Sequence, residues 1–148
     1  MASGSLWTDA DAWERLRARD GCPICQRGEP LGIIGEGSLA WFTAGDPAPV
    51  VGCVCVVSKP HVVEPFELRG AERAAFWEDT LRAAEAVNQV FQPMKINYEI
   101  HGNTIPHLHV HIFPRYAGDP FVGGPIDPQR TSTAWPPGAL DQLREALR

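Results

Sequence analysis

The spacing of apolar and polar residues changes along the chain, and each change marks an element. Residues 9–19 carry Trp13 and Leu16 at helical spacing behind the possible caps Thr8 and Asp9, with Gly21 as a stop, which predicts a short first helix. Cys22-Pro23-Ile24-Cys25 reads as a tight turn, because proline fixes its own φ and constrains the residue before it. Residues 31–34 and 38–42 are short apolar runs on either side of Gly35-Glu36-Gly37, a strand pair across a glycine-rich turn. Asp46-Pro47-Ala48-Pro49 breaks the pattern as a loop. The valine-rich run 51–57 reads as a central strand buried on both faces, ended by Lys59-Pro60.

Residues 71–91 lack Gly and Pro, and Ala74, Trp77, Leu81, Ala84, Val87 and Phe91 recur three or four apart, predicting one long helix whose Trp and Phe side chains join the core. Met94, Ile96, Tyr98 and Ile100 alternate with Lys95, Asn97, Glu99 and His101, the period of two of a half-buried strand, and Gly102-Asn103 turns the chain. Residues 107–113 alternate again, with three histidines on one face and Leu108, Val110 and Ile112 on the other, up to Pro114, which ends the strand. The Gly- and Pro-rich stretch 117–137 reads as irregular, and Leu140, Leu143 and Leu147 mark a short closing helix. Together these elements describe an α+β fold in which a long helix packs on an antiparallel sheet. The 148 residues fit one domain, with an N-terminal helix and turn over 8–28, core sheet and helix over 31–114, and a tail over 115–148.

Composition narrows the setting. No apolar run reaches the roughly 18 to 20 residues of a membrane span, and the N-terminus lacks the basic flank and apolar stretch of a signal peptide, so a cytoplasmic protein without a membrane partner is expected. A net charge of -5 argues against a nucleic-acid partner, so any phosphate binding must be local. Without a secretory signal, the four cysteines do not read as a disulfide framework. Cys53 and Cys55, on one side of the central strand, read as small apolar core residues. His101, beside Gly102, reads as a solvated or turn histidine.

Three of the five histidines on one strand face are few enough residues, placed closely enough, to suggest chemistry. Neutral imidazole is a nucleophile near neutral pH, and one nitrogen can attack while the other fixes the tautomer through a hydrogen bond. Phosphorus is a natural target. The same three imidazoles can also ligate a catalytic zinc or iron, which leaves a metalloenzyme as an alternative.

His107-Leu108-His109-Val110-His111-Ile112-Phe113 resembles the signature of the histidine triad (HIT) family, and Lys59-Pro60-His61 is similar to that family's segment after the central strand. The resemblance implies a HIT-like fold, a nucleotide substrate and a likeness to homodimers. It also implies a nucleotidyl-histidine mechanism with His109 as nucleophile and His111 and His107 flanking the phosphate. Asn97, Asn103 and Thr104 stand where the family places groups that contact ribose or phosphates, although Gly102-Asn103-Thr104 reads equally well as turn chemistry.

Pro114-Arg115-Tyr116-Ala117-Gly118-Asp119 resembles the branch that hydrolyses dinucleoside polyphosphates. Two departures stand beside it: the loop from Asn97 to His107 is short, and Gly45 occupies the position of a ribose-binding Asn or Asp, with Asp46 as the neighbouring substitute. The implied activity is hydrolysis or nucleotidyl transfer at a phosphoanhydride or phosphoramidate, such as a diadenosine polyphosphate or adenosine phosphoramidate. A phosphorylase, and a regulatory module that binds nucleotide or zinc with little turnover, are the other readings. Some HIT proteins, and the related galactose-phosphate uridylyltransferases, pair a Cys-x-x-Cys turn with two histidines. By that likeness Cys22, Cys25, His61 and His107 hold a structural zinc, and no organic cofactor is implied.

Overall fold

The computed structural model describes residues 8–148. Its elements are α1 (Ala10–Arg17), α2 (Pro23–Arg27), β1 (Ile33–Glu36), β2 (Ala40–Thr43), β3 (Val54–Ser58), α3 (Gly70–Phe91), β4 (Lys95–Glu99), β5 (His109–Arg115) and α4 (Ala139–Ala146), with short 3₁₀ turns at Arg19–Gly21 and Pro65–Glu67. All strand pairs are antiparallel, in the order β1-β2-β3-β5-β4. The fold is α+β, as expected: a five-stranded sheet with one long helix across it and short helices around it. Among the described residues no helix is long and apolar enough to cross a membrane.

Period two sorts the sheet into two faces. Phe42, Val54, Val56, Val110 and Ile112 are buried against Phe76, Ala83 and Val87 of α3. The opposite face carries Thr43, Cys55, His109, His111 and Phe113 into the site described below. On α3 the buried stripe runs through Phe76, Asp79, Thr80, Ala83, Ala86 and Val87. It is therefore rotated from the predicted one, with Ala84 and Val87 shared, Trp77 and Phe91 partly buried, Ala74 exposed and Leu81 half exposed. The rotation lets Asp79 accept the Leu39 N–H at 2.8 Å under the β1–β2 turn. That approach requires Gly37, because a Cβ there would lie 2.2 Å from the Asp79 carboxylate.

The observed boundaries bear out one expected cap and correct several other expectations. Asp9 caps α1 through the Ala12 N–H at 3.0 Å. Cys22-Pro23-Ile24-Cys25 is not a bare turn but the start of α2, because Cys22 caps that helix through its own sulfur and Pro23 sits where no N–H is needed. The central strand starts at Val54, after a turn at Gly52, whose φ of 93° suits glycine. Pro114 does not end β5: it pairs with Ile96 and the strand runs to Arg115. Pairing with β3 has already stopped at Ile112, so on that side the proline needs no donor.

The tail is irregular as expected, yet it is pinned. An Ala48–Thr133 bridge and the Trp135 N–H to Asp46 Oδ1 at 3.1 Å tie it to the 46–49 loop. Arg115 donates to Asp119 at 2.9 and 3.1 Å, to the Phe121 and Gly124 carbonyls at 2.8 and 2.7 Å, and to Asn97 Oδ1 at 3.0 Å. The guanidinium holds the Asp119 carboxyl down at about 2.

Candidate functional site

Two side-chain clusters meet at the start of β5. The expectation that three imidazoles stand side by side holds for two. His109 and His111 are neighbours, with ring centroids 5.0 Å apart, and His111 stacks on Phe113 at 5.1 Å. His107 lies one turn of pleat before the strand begins and turns to the other cluster, its ring 5.1 Å from that of His61. The reason is that β5 pairs with β3 only from His109 onward, while Leu108 N–H bonds the Val62 carbonyl and pulls this stretch toward the chain after β3.

His109 is tied at one nitrogen. Its Nδ1 lies 2.7 Å from the His107 carbonyl, which can only accept, so Nδ1 carries the proton and Nε2 presents its lone pair. Burial lowers the pKa of His109, against the bond to His107, and nearby His101 lowers it further. The ring is therefore neutral at neutral pH. Burial, with His109 and His101 beside it, pushes His111 down to about 4. Cys55 is Cα partner to His111, and one ligand atom each of Cys55, His109 and His111 lie within 4.8 Å of one another. Cys55 thus belongs to the histidine face, which corrects its reading as core; burial pushes its thiol up to about 12, so it is a neutral neighbour.

A cleft of about 350 Å³ runs from His111 and Phe113 past Cys55 and Thr43 to Gly45 and Pro128. Asp46 is not among its lining residues, its carboxylate being engaged by Trp135. Asn97 lines an open recess beside Arg115, which takes its Oδ1. Asn103 and His109 line a third, smaller cavity together with His101, and Thr104 is exposed on the same loop. Sequence reasoning missed Glu99, which the β4–β5 register sets opposite His111.

The second cluster joins α2 to the chain on either side of the sheet. Cys22 Sγ lies 3.3 Å and Cys25 Sγ 3.7 Å from His107 Nδ1, Cys25 Sγ lies 3.4 Å from His61 Nδ1, and the two Nδ1 atoms are 3.2 Å apart. His107 Nε2 donates to the Ser58 carbonyl at 2.6 Å and His61 Nε2 to the Arg17 carbonyl at 2.9 Å. Both imidazoles therefore aim unprotonated Nδ1 lone pairs at each other and at two sulfurs, an arrangement that a cation relieves. Zinc bonds of about 2.3 Å to sulfur and 2.0–2.1 Å to nitrogen in a tetrahedron give nitrogen–nitrogen and sulfur–nitrogen edges of about 3.3–3.6 Å, close to those observed. The carbonyl bonds at Nε2 are the outer-shell contacts that orient metal-binding histidines. These four residues fit a structural metal site.

Comparison with known proteins places this site in a family. The HIT domain model matches residues 38–118. The chain belongs to the HIT domain family. Solved HIT structures superpose on most of it. A histidine triad protein from Sinorhizobium meliloti 1021 is 25% identical at TM-score 0.65, covering 78% of this chain and 86% of the other. One from Bradyrhizobium japonicum is 26% identical at 0.66, covering 78% and 87%. A zinc-bound histidine triad family protein from Mycobacterium smegmatis is 22% identical at 0.62, covering 88% and 95%, and shares the fold. A search of curated proteins gave no significant match.

Proposed function

We propose that this HIT protein, working as one unit over its whole length, hydrolyses or transfers the nucleotidyl group of a nucleoside phosphoanhydride or phosphoramidate through a covalent intermediate on His109. The observation that carries this reading is the bond from His109 Nδ1 to the His107 carbonyl, which leaves Nε2 as a fixed, neutral nucleophile beside His111. Nε2 gives its lone pair to the α-phosphorus as the bond to the leaving atom breaks, and that pair departs with the leaving group. Water then attacks phosphorus, the P–N bond breaks, and its pair returns to Nε2. His111 hydrogen-bonds the charge that develops on the phosphoryl oxygens.

The cleft, largely apolar in its lining, is of a size for a nucleobase and ribose, and the stretch from Pro114 to Asp119 favours an adenine nucleotide such as a diadenosine polyphosphate. Asn103, on the loop beside His109, is the better placed of the predicted polar contacts. Cys22, Cys25, His61 and His107 hold zinc in this reading, and the ion, when bound, supplies a structural cross-link. None of the four cysteines is in a disulfide, which suits a reducing, cytoplasmic setting. The open edge of β4 and the exposed apolar residues beside it favour a homodimer.

The test is to incubate the protein with diadenosine tetraphosphate and with adenosine phosphoramidate and look for a nucleotidyl adduct on His109 by mass spectrometry. An adduct on that residue, and loss of turnover in His109→Ala, are expected. Full activity in His109→Ala would remove the mechanism. Added phosphate that converts the product from AMP to ADP would make the enzyme a phosphorylase.

A further inference from the structure

The smaller cavity beside His109, of about 240 Å³, shares no lining residue with the cleft, and Trp13, Glu64, His101 and Asn103 line it with His109. His101 is the one other imidazole there. Its Nε2 lies 3.2 Å from Glu99 Oε1, and its ring centroid is 5.9 Å from that of His111. Glu99 ends β4 as Cα partner of His111, so the strand register fixes the carboxylate beside the histidine face. Its second oxygen, Oε2, is buried with no partner among the described residues. A buried carboxylate oxygen left bare is costly. The bond to Oε1 holds the His101 ring at Nε2, so the carboxylate fixes where that imidazole stands beside His111.

The reaction proposed above has a proton to place. Where the bond cleaved is the P–N bond of a phosphoramidate, the amine cannot leave phosphorus readily as an anion, and the neighbouring His111 is kept unprotonated at neutral pH. Resting on that reading, we infer that His101, oriented by Glu99, is a further catalytic residue that protonates the leaving group in the smaller cavity. As the P–N bond to His109 forms and the bond to the leaving atom breaks, the imidazolium of His101 gives its proton to that atom, which departs neutral. When water attacks phosphorus and the pair returns to His109 Nε2, the water proton passes to His101 and restores the imidazolium. The cavity then takes, in turn, the neutral amine of a phosphoramidate and the attacking water, which matches its size and the polar groups in its lining. His101 is exposed, so its ring is free to meet a ligand and its replacement leaves the core untouched.

The experiment compares two probes on wild type and His101→Gln: an N-alkyl phosphoramidate of AMP, whose amine needs a proton, and a nitrophenyl ester of AMP, whose phenolate does not. General acid catalysis contributes roughly 10²–10⁴-fold. Single-turnover adduct formation from the amidate is expected to fall at least ~100-fold in the variant, while the nitrophenolate burst stays within about threefold. The later hydrolysis of the adduct slows with both probes. Glu99→Gln should give the same selective pattern with a smaller loss. Equal losses on the two bursts would make His101 merely structural, and no loss on either would make it a bystander; each overturns the inference. Absence of any adduct in the wild type is a different failure, which removes the His109 mechanism and this inference with it.

Discussion

At the residue scale, His111 is the group whose surroundings alter it most measurably. Free imidazole takes up its proton near pH 6.5, whereas burial beside His109 and His101 holds folded His111 down to about 4. Between those values the unfolded chain binds a proton that the folded chain refuses, so folding stability is lost as pH falls from 6.5 toward 4 and is untouched above that window. The loss amounts to at most about 3 kcal/mol. In His111→Asn this component is absent. Urea unfolding at pH 7 and at pH 4.5 should therefore show the stability difference between wild type and variant shifting by about 2 kcal/mol in favour of the variant at the lower pH. A difference that does not change with pH would mean that His111 titrates like an exposed histidine. The alternation of 107–113 made this residue legible in the sequence. The groups around it were not, since Cys55 and Glu99 reach the same face only through strand register, and a valine-rich strand reads as core on both sides.

At the scale of elements, nearly every strand and helix could be read from period alone, and the misses come from pairing rather than propensity. Pro114 stays in β5 because β3 has ended beside it, and α3 turns its buried stripe by about one position to engage Asp79. That turn has a consequence at the sheet edge. Leu81 is 50% exposed, and with Ala84, Ile96 and the half-exposed Tyr98 it forms a shallow recess along β4, the last strand of the sheet. An edge strand carries unpaired backbone groups, and one flanked by exposed apolar side chains is a template for a second copy. Light scattering is expected to give twice the chain mass for the wild type and the chain mass for Leu81→Glu/Tyr98→Lys. A wild type that is monomeric at micromolar concentration would rule the homodimer out.

At the scale of the whole molecule, the cluster of Cys22, Cys25, His61 and His107 ties the N-terminal helices to the start of β5, beside the apolar packing of Ile24 and Val57. Cys22 and His107 are 85 residues apart in sequence, and the loop that an ion would close contains β1 to β4. The Cys-x-x-Cys spacing was legible as a ligand pair; the choice of His61 and His107 came from family likeness, and the tautomers fixed by Ser58 and Arg17 were visible only in three dimensions. Because His107 also presents the carbonyl that orients His109, the cluster supports the proposed nucleophile through one residue. An ion that binds only the folded chain stabilises it by about 2.7 kcal/mol when its free concentration is 100 times its Kd. For a chain of this length that corresponds to a fall in Tm of roughly 5–11 °C on removal. Protein purified without added metal is therefore expected to carry about one zinc per chain. Chelation should lower Tm by that amount and expose the 8–28 segment to protease, and Cys25→Ser should do the same. Readdition of zinc should restore the wild type and leave the variant unchanged. A protein that holds no metal yet has the same Tm and protease resistance with and without chelator would show that the four side chains support one another without an ion.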